Sequence, residues 1–257
     1  MGQKENLKKR YSTAAIKAFC PVLVDDMLML ASLHDKEPDK VWLDALRNER
    51  FPEGLGLKLI GSKGSEATVI MDHALKNLPE QIDNTLLDAL AADYASIYLN
   101  HGIQASPEES IWVDKEKLAC QESMFQVRSW YEQYGLMAEN WRIRPDDHLV
   151  LQLRFLAHLF SVTDSAAALE EGARFMDEHL LRWITPFAER VAGRCETPYY
   201  AGIALLTSAY CEELRDLLAT ILGQPRPSPE EIEARMSPGQ HAEEVPVSFM
   251  PGMGPAV

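Results

Sequence analysis

Nowhere in this chain do apolar and polar residues alternate with the period of two that a half-buried strand needs; apolar residues recur instead at steps of three and four, the spacing of one helical face. The clearest instance follows Arg144-Pro145-Asp146-Asp147-His148. Pro145 suits the first helical position, where a missing N–H costs nothing. Asp146 and Asp147 then fall in the first turn, where carboxylates favour the helix dipole. Leu149, Leu153, Leu156 and Phe160 complete an apolar face, so a helix is predicted from near Pro145, with His148 off that face beside Gln152, Phe155 and Leu159. The fold class is all-α.

The same spacing organises the rest. A helix is predicted from about Tyr11 to Leu33, with Phe19, Leu23, Met27 and Leu30 on its core face and Pro21 as a kink or a late start. Another runs from Pro38 to about Asn48, with Val41, Trp42, Leu43 and Leu46 as the apolar side and Asp39 and Asp44 outside. Gly61 to Ser65 reads as a flexible turn before a helix from Glu66 to Lys76. From Pro79 to Asn100, Leu87, Leu90, Tyr94 and Ile97 share a face, flanked by Asp93 and Tyr98. The loop His101 to Pro107 leads to Asp114, a candidate N-cap for a helix bearing Cys120, Met124, Val127, Tyr131 and Tyr134 and stopping at Gly135. Residues 164–178 and 179–194 read as two helices, Pro198 opens one closed by Gly223, and Ser228-Pro229-Glu230-Glu231 is a capping box for a short last one. This is a bundle of about ten helices with no internal repeat. After Met236 the chain is too rich in Pro and Gly to pack as an element, which predicts a domain over residues 1–236 and a flexible tail over 237–257.

A net charge of −14 disfavours nucleic acid and suits cationic partners. Cys20, Cys120, Cys195 and Cys211 form no C-x-x-C pair, and the seven histidines include no i, i+4 pair, so neither a zinc site nor a redox dithiol is written here. The charged opening residues lack a secretory apolar core, and the uncharged run Thr197 to Cys211 is too short to span a bilayer. A cytoplasmic protein without membrane insertion is expected. Gly61-Ser62-Lys63-Gly64 lacks the G-x-x-x-x-G-K-[ST] order of a phosphate loop.

A catalytic reading starts from Asp147 beside His148, with Ser110 or Ser123 as nucleophile. Adjacent helical residues point about 100° apart, so Asp147 is poorly placed to orient His148, and no G-x-S-x-G elbow is present. A binding reading uses the aromatic residues as cleft walls and Asp114, Asp146 and Asp147 as a rim, which suits a peptide with arginines followed by an apolar stretch. A general helical scaffold is the third reading.

Five blocks in order, S-I-W-V-D from Ser110, C-Q-E-S-M-F-Q-V-R from Cys120, R-P-D-D-H-L from Arg144, H-L-L-R-W-I-T-P-F from His179 and P-Y-Y from Pro198, resemble the TorD/DmsD (NarJ-like) family of redox-enzyme maturation chaperones over roughly Leu87 to Leu222. The resemblance implies a single-domain helical bundle, monomeric or exchanging halves between protomers through a hinge near His101 to Pro107. It implies no catalysis and no tightly bound cofactor. The implied partners are the twin-arginine signal peptide and the catalytic subunit of a molybdenum-cofactor oxidoreductase, held in the cytoplasm until cofactor is inserted. Carried over residue by residue, the implied peptide site is Tyr94, Ile97 and Tyr98; Pro107, Ser110, Trp112 and Asp114; and Pro145, Asp147 and His148. Where some relatives have a tryptophan before the serine, this chain has Glu108 and Glu109, which predicts a more acidic pocket mouth.

Overall fold

A computed structural model describes residues 12–162 and 165–236. Eleven α-helices appear among them: α1 (Thr13–Asp35), α2 (Lys40–Asn48), α3 (Ser62–Lys76), α4 (Asn84–Tyr94), α5 (Ser110–Val113), α6 (Glu122–Gln133), α7 (Leu149–Val162), α8 (Ala166–Glu178), α9 (Ile184–Arg194), α10 (Pro198–Leu222) and α11 (Pro229–Met236). A π turn, Ala95–Leu99, extends α4, and a short 3-10 turn, Leu180–Arg182, precedes α9. Among the described residues there is no strand, only a single antiparallel bridge between Glu108 and His148. The all-α expectation holds. The tail expected after Met236 lies outside the described residues.

One compact unit ends at Arg226 and a second begins at Pro227. In the second, α11 has the expected capping box: the Ser228 N–H donates to Glu231 Oε2 at 2.8 Å and the Glu231 N–H to Ser228 Oγ at 3.2 Å.

In the first unit, α7 packs chiefly on α1 and α8, and α10 on α3 and α9. α7 is buried on nearly every side, from Leu149 and Val150 to Leu159 and Phe160, because it is surrounded rather than laid on a surface. α10 runs from Pro198 to Gly223, whose φ of 64° makes the left-handed stop that glycine takes without strain. Three polar residues lock the helices together from inside. Buried Asp26 accepts from the Tyr210 hydroxyl at 2.6 Å and from the N–H groups of Gly56 and Leu57. Asp93 caps the start of α10 from α4, accepting from Thr197 N at 2.7 Å and Glu196 N at 3.0 Å. His34 bridges Tyr98 and Thr207 at 2.6 and 2.9 Å, and burial lowers its pKa to about 3, so it is neutral.

Several boundaries differ from the periodicity. α3 starts at Ser62, so Gly61 to Ser65 is a helix start and not a free turn. Glu213 on α10 holds the N–H groups of Ile60 and Gly61 at 2.9 and 3.1 Å, and a Cβ on Gly64 would lie 1.9 Å from its carboxylate. α4 begins only at Asn84, capped by Asp83. Val41 is 76% exposed, while Leu43 and Leu46 face the core, so the apolar side of α2 is narrower than its sequence suggests.

Candidate functional site

Of the three segments expected to form a peptide site, those around Pro107 to Asp114 and Pro145 to His148 are bonded directly to each other, while Tyr94 and Tyr98 bond to Asp35 and His34 of α1. Pro107 O accepts from Leu149 N at 2.8 Å and Asp147 O from Glu109 N at 3.3 Å, which ties the segment before α5 to the segment before α7. This pairing displaces the start of α7 from Pro145 to Leu149: residues 145–148 form a turn closed by His148 N to Pro145 O at 3.0 Å, followed by the bridge to Glu108. Asp146 and Asp147 therefore precede the helix rather than decorate its first turn. His148 acts as the cap of α7, its Nδ1 accepting from Val150 N at 3.1 Å. Burial first, and then the neighbouring Arg144 charge, hold its pKa well below the usual value, in keeping with an unprotonated acceptor nitrogen.

The carboxylates expected at a rim are already engaged. Asp147 is buried and Oδ2 accepts from Ser110 N at 2.9 Å; burial pushes its carboxyl up to about 6, against the lowering effect of that N–H. Asp146 takes the Arg128 guanidinium through Nε at 3.0 Å and Nη2 at 2.8 Å, and its carbonyl accepts from the Tyr131 hydroxyl. Asp114 is not the cap of a helix that begins there, because residues 115–121 intervene before α6; its carboxylate reaches forward to Ser123 Oγ at 2.5 Å and Ser123 N at 3.4 Å. Asp147 and His148 make no hydrogen bond to one another through their side chains, so the pair has no triad geometry, and Ser123 points to Asp114. Among the described residues no group of three or more His, Cys, Asp and Glu could hold a metal ion.

Glu108 and Glu109 overturn the expectation of an acidic mouth, since both are buried. Glu108 accepts from the Ser106 hydroxyl at 2.5 Å. Glu109, with no exposed surface, accepts from Gln152 Nε2 at 2.7 Å and meets His179 Nδ1 at 3.1 Å, with Arg182 at 3.9 Å. Sequence reasoning missed this network; Gln152 within the apolar run of α7 was its one sign.

Of the ten residues expected to bind, Tyr94, Ile97, Tyr98, Pro107, Ser110, Pro145, Asp147 and His148 are buried, and Trp112 and Asp114 are half-buried. Tyr94 and Tyr98 lie side by side at 4.9 Å, their hydroxyls bonded to Asp35 O and His34. Trp112 is the open part of the junction: its Nε1 donates to Ser106 O at 2.9 Å, its ring meets Phe187 edge-on at 6.4 Å, and Arg190 lies 4.3 Å from its centre. Next to Asp146, Arg128 sits over the exposed rings of Phe125 and Trp141, both at 5.3 Å.

The family model described as "Nitrate reductase delta subunit" matches residues 67–189. The chain is also similar to three proteins named "Chaperone protein TorD". One, from Vibrio vulnificus (strain YJ016), is 29% identical over 208 residues, 76% of this chain and 94% of the relative. Another, from Vibrio cholerae (strain ATCC 39541 / Classical Ogawa 395 / O395), is 30% identical over 157 residues, 58% of this chain and 70% of the relative. The third, from Shewanella sp. (strain ANA-3), is 26% identical over 194 residues, 72% and 88% of the two chains. These relatives are named chaperones and not enzymes, and among the described residues no helix is long and apolar enough to cross a membrane. With the helical architecture and the ordered motif blocks, these matches make the chain a member of the TorD (NarJ-like) family of redox-enzyme maturation chaperones.

Proposed function

We propose that this chaperone binds the twin-arginine signal peptide of a molybdenum-cofactor oxidoreductase in the cytoplasm, holds back its export, and retains the apo catalytic subunit while cofactor is inserted. The observation that carries this reading is that the family match spans residues 67–189, which include all ten candidate residues, and that the segments before α5 and α7 pair there beside the half-buried indole of Trp112. Trp112 and Asp114 make the contacts with the peptide. The other eight residues position them: the Asp147 carboxylate holds the Ser110 N–H, and the His148 cap fixes the start of α7 against Pro107.

A calorimetric titration of the full chain with a twin-arginine signal peptide, and with the same peptide carrying alanines for both arginines, tests this at two salt concentrations. Micromolar, salt-sensitive binding that prefers the arginines is expected, and Trp112→Ala should weaken it by about tenfold or more, as loss of a central aromatic anchor does. No binding to any of several such peptides overturns the reading.

A further inference from the structure

Of the carboxylates near Trp112, Asp147, Glu108 and Glu109 are buried and Asp146 is bonded to Arg128, which leaves half-buried Asp114 as the one open to an arginine; unpaired carboxylates lie in a separate groove lined by α3, α9 and α10. Between the first turns of α3, the start of α9 and the middle of α10 is a cavity of about 610 Å³. Its apolar lining includes Ala67, Ile70, Ala188, Leu205 and Ala209. Its polar lining is strongly one-sided: Glu66, Glu189, Glu212, Glu213 and Asp216 against Lys63. Three of these carboxylates have work inside the fold. Glu213 holds the Ile60 and Gly61 N–H groups, and Arg226 pairs with both Glu212 and Asp216. Glu66 and Glu189 are exposed and have no ion-pair partner among the described residues.

We propose that this groove is a second docking site for the client's signal peptide, with Glu66 and Glu189 taking its arginines and the apolar lining taking the adjoining apolar side chain. The inference rests on the peptide-binding reading above and adds the place where the charges are met. Charge complementarity selects the occupant: a guanidinium forks onto carboxylates in a low, partly enclosed site, while an anionic or purely apolar segment would leave them unpaired. The volume sets the extent. It lies within the roughly 300–1,000 Å³ of ordinary small-ligand sites, so it holds a few side chains rather than a whole signal sequence. α9 borders both places: Ala188 and Glu189 line the groove, and Phe187 and Arg190 pack on Trp112. Successive residues on a helix point about 100° apart, so a peptide bound at both places wraps α9.

The test titrates the full chain with the twin-arginine peptide and its alanine counterpart. The variants are Glu66→Lys with Glu189→Lys together, and separately Lys63→Glu, with helix content followed by circular dichroism. All three side chains are exposed, so the fold is retained. The double reversal should lower affinity for the arginine peptide by about tenfold or more and abolish the preference over the alanine peptide. Lys63→Glu should raise affinity severalfold, both effects shrinking at high salt. If the wild-type chain prefers the arginine peptide but neither variant shifts its affinity by more than about twofold, the groove is not a docking site and the peptide-binding reading stands. If the wild-type chain has no preference for the arginines, that reading fails and the groove proposal falls with it.

Discussion

Replacing Asp147 by Asn removes one ionisable proton from the junction while preserving the oxygen that accepts from Ser110 N. Burial raises the carboxyl from 3.8 to about 6 in the folded chain, a gap of roughly 2 pH units, or about 3 kcal/mol at 1.36 kcal/mol per unit. Between these two values the folded state binds more protons than the unfolded state, so stability falls as pH rises. The favourable contribution is intact below about 3.8 and gone above about 6. The Asn variant carries no such penalty. It does place an amide nitrogen where Oδ1 has no hydrogen-bond partner, at a cost of about 1 kcal/mol, so the variant should be the more stable by about 2 kcal/mol at pH near 8. About 1.5 kcal/mol of the difference should develop between pH of about 5 and about 8. Urea denaturation of both proteins across that range, compared at each pH, isolates Asp147 from the other carboxylates. A difference independent of pH, or one that shrinks as pH rises, would refute a carboxyl held in a poorly solvated site.

The buried pair of Arg215 and Asp177, with both bonds at 2.8 Å, should make Arg215→Met alone cost about 3–5 kcal/mol in urea denaturation, with much of it recovered when Asp177→Leu is added. A loss below about 1 kcal/mol would mean the pair behaves like a surface one. Gly64→Ala should destabilise by about 1–3 kcal/mol in thermal melts, because its Cβ would meet the Glu213 carboxylate and lie 2.7 Å from Leu59 Cβ. Gly193→Ala, where a Cβ meets nothing within 4 Å near the end of α9, is the contrast and should raise the melting temperature.

Helix content and many termini were legible because they depend on near neighbours. The Ser228 and Glu231 capping box, the stop at Gly223, the Pro198 start and the buried spacing of Leu149, Leu153, Leu156 and Phe160 all appear as read. The family was also legible, since its blocks are ordered sequence. The misread positions share a cause. Pro145, Asp146 and Asp147 are a well-formed helix start in isolation, yet the bridge to Glu108 gives their backbone groups partners outside any helix and moves α7 to Leu149. Asp114 has a capping residue's chemistry, but the N–H it meets belongs to Ser123.

Local spacing and capping chemistry thus determined that this chain is helical and where most helices lie, while the ordered motif blocks carried the resemblance to its chaperone family. Tertiary structure alone decided which charges are available. Asp146, Asp147, Glu108 and Glu109 read as a solvated acidic rim, but they are buried by segments far along the chain and bonded to Arg128, Ser110, Ser106, Gln152 and His179. Glu66 and Glu189, 123 residues apart in the sequence, line one groove. A carboxylate's freedom to bind depends on its desolvation and its partners, and both are set by contacts between segments that the order of residues does not display.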